Sequence, residues 1–378
     1  MWFVSVMIWL FGLLFATVVM VAIGDRVGLP WPVLLTIVTA GVIFIPGVPS
    51  AGSLSQFSHL MLPIFIPPLL WALARRASWA QIRRQWRSII MLSVLLVIAT
   101  AVAVGLTASW LVPALSVAGA MMIGAAISPP DPVAVDAVAE PAGVPRRLMN
   151  TLQTEGMFND AASILVFNLA LGVLTQGETV KWWEAIWEFG YSSGAAVLIG
   201  WFIGRGAAFL SNWMTSATAR NAFTWVIPFI TYLVAEEIHA SGVIAVVIAA
   251  IEYNSRVAIG AEDRLSGTVF WEIVELLFTG VAFGLIGIMA RDAIFTVGSD
   301  WGEAVMLGVV LSVVAIAVRG LWFLGMYATN KYTRYRVGGP LRLQETLLLT
   351  WAGMRGLVTL ALILSIPDTG DFGLYHEA

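Results

Sequence analysis

The chain has no cysteine and only three histidines among 378 residues. Disulfides, thiolate metal sites and cysteine nucleophiles are therefore excluded. The histidines do not form a metal-binding spacing, and there is no phosphate-binding glycine loop or hydrolytic triad pattern. An ATP-driven pump, a membrane protease or any other enzyme thus lacks its machinery, and neither a bound cofactor nor a nucleic-acid partner is expected. Charge is scarce as well. Asp, Glu, Lys and Arg make up 11% of the residues, against roughly 25% in ordinary soluble domains.

What fills the chain instead is apolar length. Hydrophobic residues make up 59% of it, arranged in solid runs of about the 20 residues that a helix needs to cross a bilayer. A membrane β-barrel would show short alternating segments, so the fold class is an all-α polytopic membrane protein. Apolar length punctuated by Gly, Pro and charge predicts twelve spans: 1–23, 30–46, 59–74, 88–111, 115–138, 147–175, 185–204, 221–235, 241–254, 268–290, 302–329 and 343–366. The eighth and ninth read equally as one kinked unit or two short helices. The first run has no basic residue before it and exceeds a signal core, so it is read as a retained helix. No linker divides the chain, which predicts one membrane domain over 1–378 and a weakly structured acidic tail. With twelve spans, sixteen of the twenty Lys and Arg residues fall in odd-numbered loops, Arg75, Arg76, Arg83, Arg84 and Arg87 being the densest group. Basic residues accumulate on the cytoplasmic side. The N-terminus is therefore expected outside, in a plasma-membrane protein whose surroundings are the lipid bilayer.

Ionisable residues inside spans are functional candidates, since each costs about 2.5 kcal/mol or more at the bilayer centre. They are Asp131 and Asp136 in the fifth span, Glu155 and Asp160 in the sixth, Arg319 in the eleventh and Arg355 in the twelfth. Pro129, Pro130 and Pro132 interrupt the helix around Asp131, and freed backbone groups are tolerated at that depth only where they line a cavity or bind something. In the sixth span, Glu155 and Asn159 are four apart on one helix face, with Asp160 about 100° further round. That arc of carboxylate and amide oxygens suits a hard cation, and a proton competes for the same carboxylate. Glu155 reads as the counter-charge of Arg319 or Arg355. Gly353 and Gly356 bracket Arg355 and favour a second helix break. Two interrupted helices, one in each half, point to an inverted-repeat transporter with its site at the midplane.

The segments ISPPDPVAVDAVAE, RLMNTLQTEGMFNDAASILVF, YLVAEEIHASGVIAVVIAA and LTWAGMRGLVTLALILSIP resemble the monovalent cation:proton antiporter family, the sodium/proton exchangers of bacteria and eukaryotes. The resemblance implies a homodimer, each protomer carrying dimerisation helices (about 1–74 and 185–290) and core transport helices (about 88–175 and 302–366). It implies two crossed broken helices and thirteen transmembrane helices, about twelve of which the sequence accommodates. It also implies that Asp160 alternately binds a monovalent cation and a proton, that Asn159 and Asp131 complete the metal site, that Glu155 bridges to Arg319 and that Arg355 steadies the second break. Exchange would be electroneutral, of sodium, lithium or potassium against H+, and would serve pH homeostasis. Two positions depart from the family pattern: Pro130 stands where a threonine is common, and Ala72 where many members place an acid. These losses keep open a non-transporting scaffold or sensor that retains the fold. A passive channel fits a dead-end midplane carboxylate less well.

Overall fold

The computed structural model describes residues 2–41, 58–131, 135, 144–176, 182–258, 260–297, 301–333 and 339–366. Pro132, Asp136 and the acidic tail after Ile366 lie outside the described residues. In chain order the helices are α1 (Trp2–Val27), α2 (Trp31–Gly41), α3 (Ser58–Ala74), α4 (Trp79–Ile89), α5 (Leu96–Leu111), α6 (Val117–Ile127), α7 (Arg146–Gly156), α8 (Asn159–Gln176), α9 (Trp182–Trp213), α10 (Ala217–Glu237), α11 (Gly242–Arg256), α12 (Ala261–Val297), α13 (Trp301–Tyr332), α14 (Leu343–Trp351) and α15 (Leu357–Leu364). A π-helical turn, Ile90–Leu95, fuses α4 to α5. Among the described residues six stretches are long and apolar enough to cross a membrane, for example Trp79–Leu111 and Trp301–Tyr332. The protein is a multi-pass membrane protein.

The chain divides into two compact units, the first made of Met1–His59, Ile90–Thr179 and Thr279–Ala378 and the second of Leu60–Ile89 and Val180–Phe278. In the first unit, α5, α7, α13 and α14 share a core of Leu92, Leu96, Leu148, Leu152, Phe323 and Leu349. Burying leucine against leucine gains little in lipid, which is as apolar as the core, so close packing and polar contacts must supply specificity. In the second unit that logic is visible in α9. A Cβ added at Gly200 would lie 2.8 Å from Ile248 Cβ, and one at Gly204 would lie 2.9 Å from Ala249 Cα. The G-x-x-x-G spacing lets α9 press its backbone onto α11.

Several elements differ from the predicted spans, each for a physical reason. Arg83, Arg84 and Arg87 sit on α4, an amphipathic helix continuous with α5, and not in a loop. The eighth and ninth spans are two helices, closed by Glu236 Oε1 accepting the Gly242 N–H at 3.1 Å. Trp79, expected as an interfacial anchor, donates its indole N–H to Glu252 at 2.9 Å. The sixth span is not one helix: it breaks at Met157 and Phe158 between α7 and α8. The Glu155 carbonyl, which would accept the Asn159 N–H in a continuous helix, accepts instead from the Ser93 hydroxyl at 2.9 Å and the Phe158 N–H at 3.3 Å. Glu155 and Asn159 therefore do not share a continuous helix face.

Candidate functional site

α6 stops at Ile127, where Ser128 turns its hydroxyl back to the Ala125 carbonyl at 2.9 Å. Pro129 and Pro130 follow, and without N–H groups they cannot carry the helix on. The chain is non-helical at Asp131, whose N–H donates to the Met354 carbonyl at 2.7 Å. Met354 belongs to a second non-helical stretch, 353–356, between α14 and α15. The two interruptions are thus tied to each other backbone to backbone. Gly356 makes that approach possible. A Cβ there would fall 2.7 Å from Asp131 Cβ and overlap its carboxylate, so the glycine is required for space and not for its backbone angles.

Arg355 reaches across the same crossing. Its Nε donates to the Ile127 carbonyl at the end of α6 and one terminal N–H donates to Gly353 O. An intramembrane helix end leaves carbonyls unmet, and this guanidinium supplies donors to both breaks.

Asn159 and Asp160 open α8. Asn159 is fully buried and donates its amide to the Pro130 carbonyl at 2.8 Å, while its Oδ1 has no hydrogen-bond partner among the described residues. A buried acceptor left unmet costs on the order of 1–3 kcal/mol, and its presence beside two carboxylates marks a place where a cation can be received. Asp160, 7% exposed, lies in the first turn of α8, where the helix dipole favours negative charge, and is close enough to Asp131 to interact electrostatically. Ser163, one turn along, donates to Ala125 O at 2.7 Å and holds α8 against α6.

Glu155 faces elsewhere. Arg319 on α13 holds it with two bonds, Nη1 to Oε1 at 2.5 Å and Nη2 to Oε2 at 3.0 Å, while its Nε donates to the Leu349 carbonyl at 2.9 Å. Both side chains are at most 3% exposed, and the guanidinium stacks on Phe323 at 5.0 Å. A buried pair survives when its lone pairs and donors are this fully used. Glu155 is accounted for by Arg319, whereas Arg355 serves carbonyls.

The structure therefore brings Asp131, Asn159 and Asp160 together with Pro129, Pro130, Gly353 and Gly356 at one crossing, and sets Glu155 and Arg319 apart as a brace. Among the described residues no three His, Cys, Asp or Glu side chains cluster, so the donor set is two carboxylates plus neutral oxygens. Three participants escape a reading of the sequence. Ser93 looks like filler in an apolar run, yet it caps the α7 break. Thr359 lies three residues beyond Gly356 on α15, and its hydroxyl is buried without a partner among the described residues. Glu252, 2% exposed, sits near a helix end and resembles an interfacial acid, but Trp79 and Arg256 satisfy it.

Crossed broken helices with carboxylates at the crossing define a secondary-transporter type of fold. The chain belongs to the sodium/hydrogen exchanger transmembrane family, whose model matches residues 12–376. It is 28% identical over 345 residues to the Na+/H+ antiporter ApNhaP of Aphanothece halophytica, covering 90% of this chain and 63% of that protein. It is 31% identical over 376 residues to a sodium, potassium, lithium and rubidium/H+ antiporter of Bacillus subtilis, covering 89% of this chain and 55% of that protein. The chain thus spans a little over half of the length of these two relatives. Its fold matches the sodium proton antiporter MjNhaP1 of Methanocaldococcus jannaschii with a TM-score of 0.76 at 16% identity, over 97% of this chain and 86% of that one.

Proposed function

We propose that this protein is a secondary antiporter that exchanges a monovalent cation for a proton at Asp160. The observation that carries the reading is the buried, unpartnered Asn159 Oδ1 at the crossing that also gathers Asp160 and Asp131. A carboxylate buried without an arginine must bind a proton or a cation to remain neutral. Asp160 does each in turn: it releases its proton to one side, takes the cation with Asn159, Asp131 and freed backbone carbonyls as further donors, and discharges it to the other. One charge replaces one charge, so exchange is electroneutral. Thr359 offers a hydroxyl oxygen from the second break, a ligand type that Pro130 cannot provide.

Sodium is the favoured cation, by analogy with relatives named for sodium, and the broader ion list in the Bacillus name makes lithium and potassium the alternatives to test. The protein acts as a homodimer in the plasma membrane with its N-terminus outside. The loop charge bias supports that orientation.

The test is proton flux in proteoliposomes with an acidic interior, read by a pH dye while sodium, lithium, potassium or choline is added outside. Cation-specific alkalinisation that is insensitive to a potassium/valinomycin clamp, and lost in Asp160→Asn, is the expected result. Silence of the wild type, or equal flux in the variant, overturns the assignment.

A further inference from the structure

Away from the crossing, the second unit encloses a cavity of about 350 Å³, within the size range of small-ligand pockets. Its walls are aromatic. Trp71 of α3 lies 5.6 Å from Tyr253 of α11 and 6.3 Å from Trp271 of α12, centroid to centroid. Its polar lining is cationic and amide: Arg75, Arg220 and Asn221 contribute, and no carboxylate lines it among the described residues.

Both guanidinium groups are positioned by backbone. Arg75 donates from Nη1 to the Gly267 carbonyl at 2.9 Å. Arg220, 9% exposed, donates to the Ser211 carbonyl at 3.3 Å and to Met214 O at 2.5 Å at the end of α9. An arginine fixed by carbonyls keeps its full charge to offer elsewhere. Burial and the neighbouring Arg76 hold the Arg75 pKa below its ordinary value, while Glu272 and Glu275 oppose them. Those acids compensate it incompletely: Glu272 is exposed, and Glu275 is engaged by Arg76 at 2.7 Å. Asn221 uses one amide N–H on Ser266 at 2.8 Å. At Gly267 the missing side chain keeps the space open, because a Cβ there would stand 3.3 Å from Asn221 Oδ1 and 3.8 Å from Arg75 Nη2.

Arg75, Arg220 and Val257 all lie in or beside odd-numbered loops, the basic side of the membrane, where acidic lipid headgroups and soluble phosphate esters are both at hand. We propose that this cavity binds a phosphate-bearing anion. The fork of a guanidinium matches phosphate oxygens, two such groups with neutral amide and hydroxyl donors suit its several acceptors, and the tryptophan walls hold the organic remainder. Because the lining comes from α3, α10, α11 and α12, the occupant ties these helix ends together and stabilises the unit by mass action.

The experiment is equilibrium binding and thermal unfolding of the purified full chain, with no transport needed for the readout. One arm uses inorganic phosphate and glycerol 3-phosphate in detergent; the other uses nanodiscs of phosphatidylglycerol against phosphatidylcholine. Arg75→Gln removes a charge, Gly267→Val fills the space without changing charge, and the exposed Arg83→Gln controls for general basicity. The expected result is a saturable rise in midpoint in at least one arm, with affinity about tenfold weaker in Arg75→Gln and Gly267→Val and unchanged in Arg83→Gln. A soluble-ester response alone identifies a free metabolite class, and a phosphatidylglycerol response alone identifies a lipid headgroup; either supports the site. No response in either arm overturns it, as does a response that survives both pocket variants or falls equally in the control.

Discussion

The helix crossing of the first unit and the α9/α11 pair of the second solve the same problem, packing backbone inside a membrane, in opposite ways. In α9 and α11 the main chain satisfies itself, so small residues suffice, and Gly200 and Gly204 bring the helices to contact. At the crossing both helices stop, and side chains must complete what the backbone no longer does: Arg355 for Ile127 and Gly353, Asn159 for Pro130, Ser93 for Glu155. The first arrangement leaves nothing for a ligand. The second leaves the Asn159 Oδ1 and Thr359 hydroxyl oxygens unmet, which is what an ion site requires.

The contrast can be broken most severely at the brace. Glu155→Gln or Arg319→Met alone should cost about 3–5 kcal/mol, read as loss of folded protein in detergent by size exclusion and thermal melts. The double substitution Glu155→Leu with Arg319→Met should recover most of that loss, since a buried pair is often replaceable by apolar groups of similar volume. If the double variant is no better than either single one, the brace is not an isolated pair. Overpacking the glycine-lined contact comes next: Gly200→Leu should cost roughly 1–3 kcal/mol while leaving the apparent affinity for sodium unchanged in whatever protein remains folded. A changed affinity would mean that the two regions are coupled. Smallest is Ser93→Ala, which deletes one hydroxyl bond worth about 1 kcal/mol and should lower the melting midpoint by only a few degrees.

How much of this was legible in the sequence depends on whether the cause was local. The all-helical membrane fold followed from apolar length, and the break near Asp131 from Pro129 and Pro130, because proline acts on its own backbone. Gly353 and Gly356 flagged the second break for a similar reason. The α7/α8 break was not readable, because its cause is a hydroxyl 62 positions earlier in the chain that takes the Glu155 carbonyl. Nor could spacing decide which arginine meets Glu155; that depends on how α13 and α14 pack, with Arg319 also bonding Leu349. Glu252 was overlooked for the opposite reason. Near a helix end it looked solvated, and only the approach of Trp79 shows it to be buried and answered.

The central claim is that cation and proton compete for Asp160. The most direct measurement is calorimetric titration of sodium into the purified protein in buffers of different ionisation enthalpy, which counts protons released per cation bound. The account predicts about one proton released per sodium in the wild type, and neither sodium binding nor proton release in Asp160→Asn. Sodium binding without proton release, or release that persists in Asp160→Asn, would contradict it.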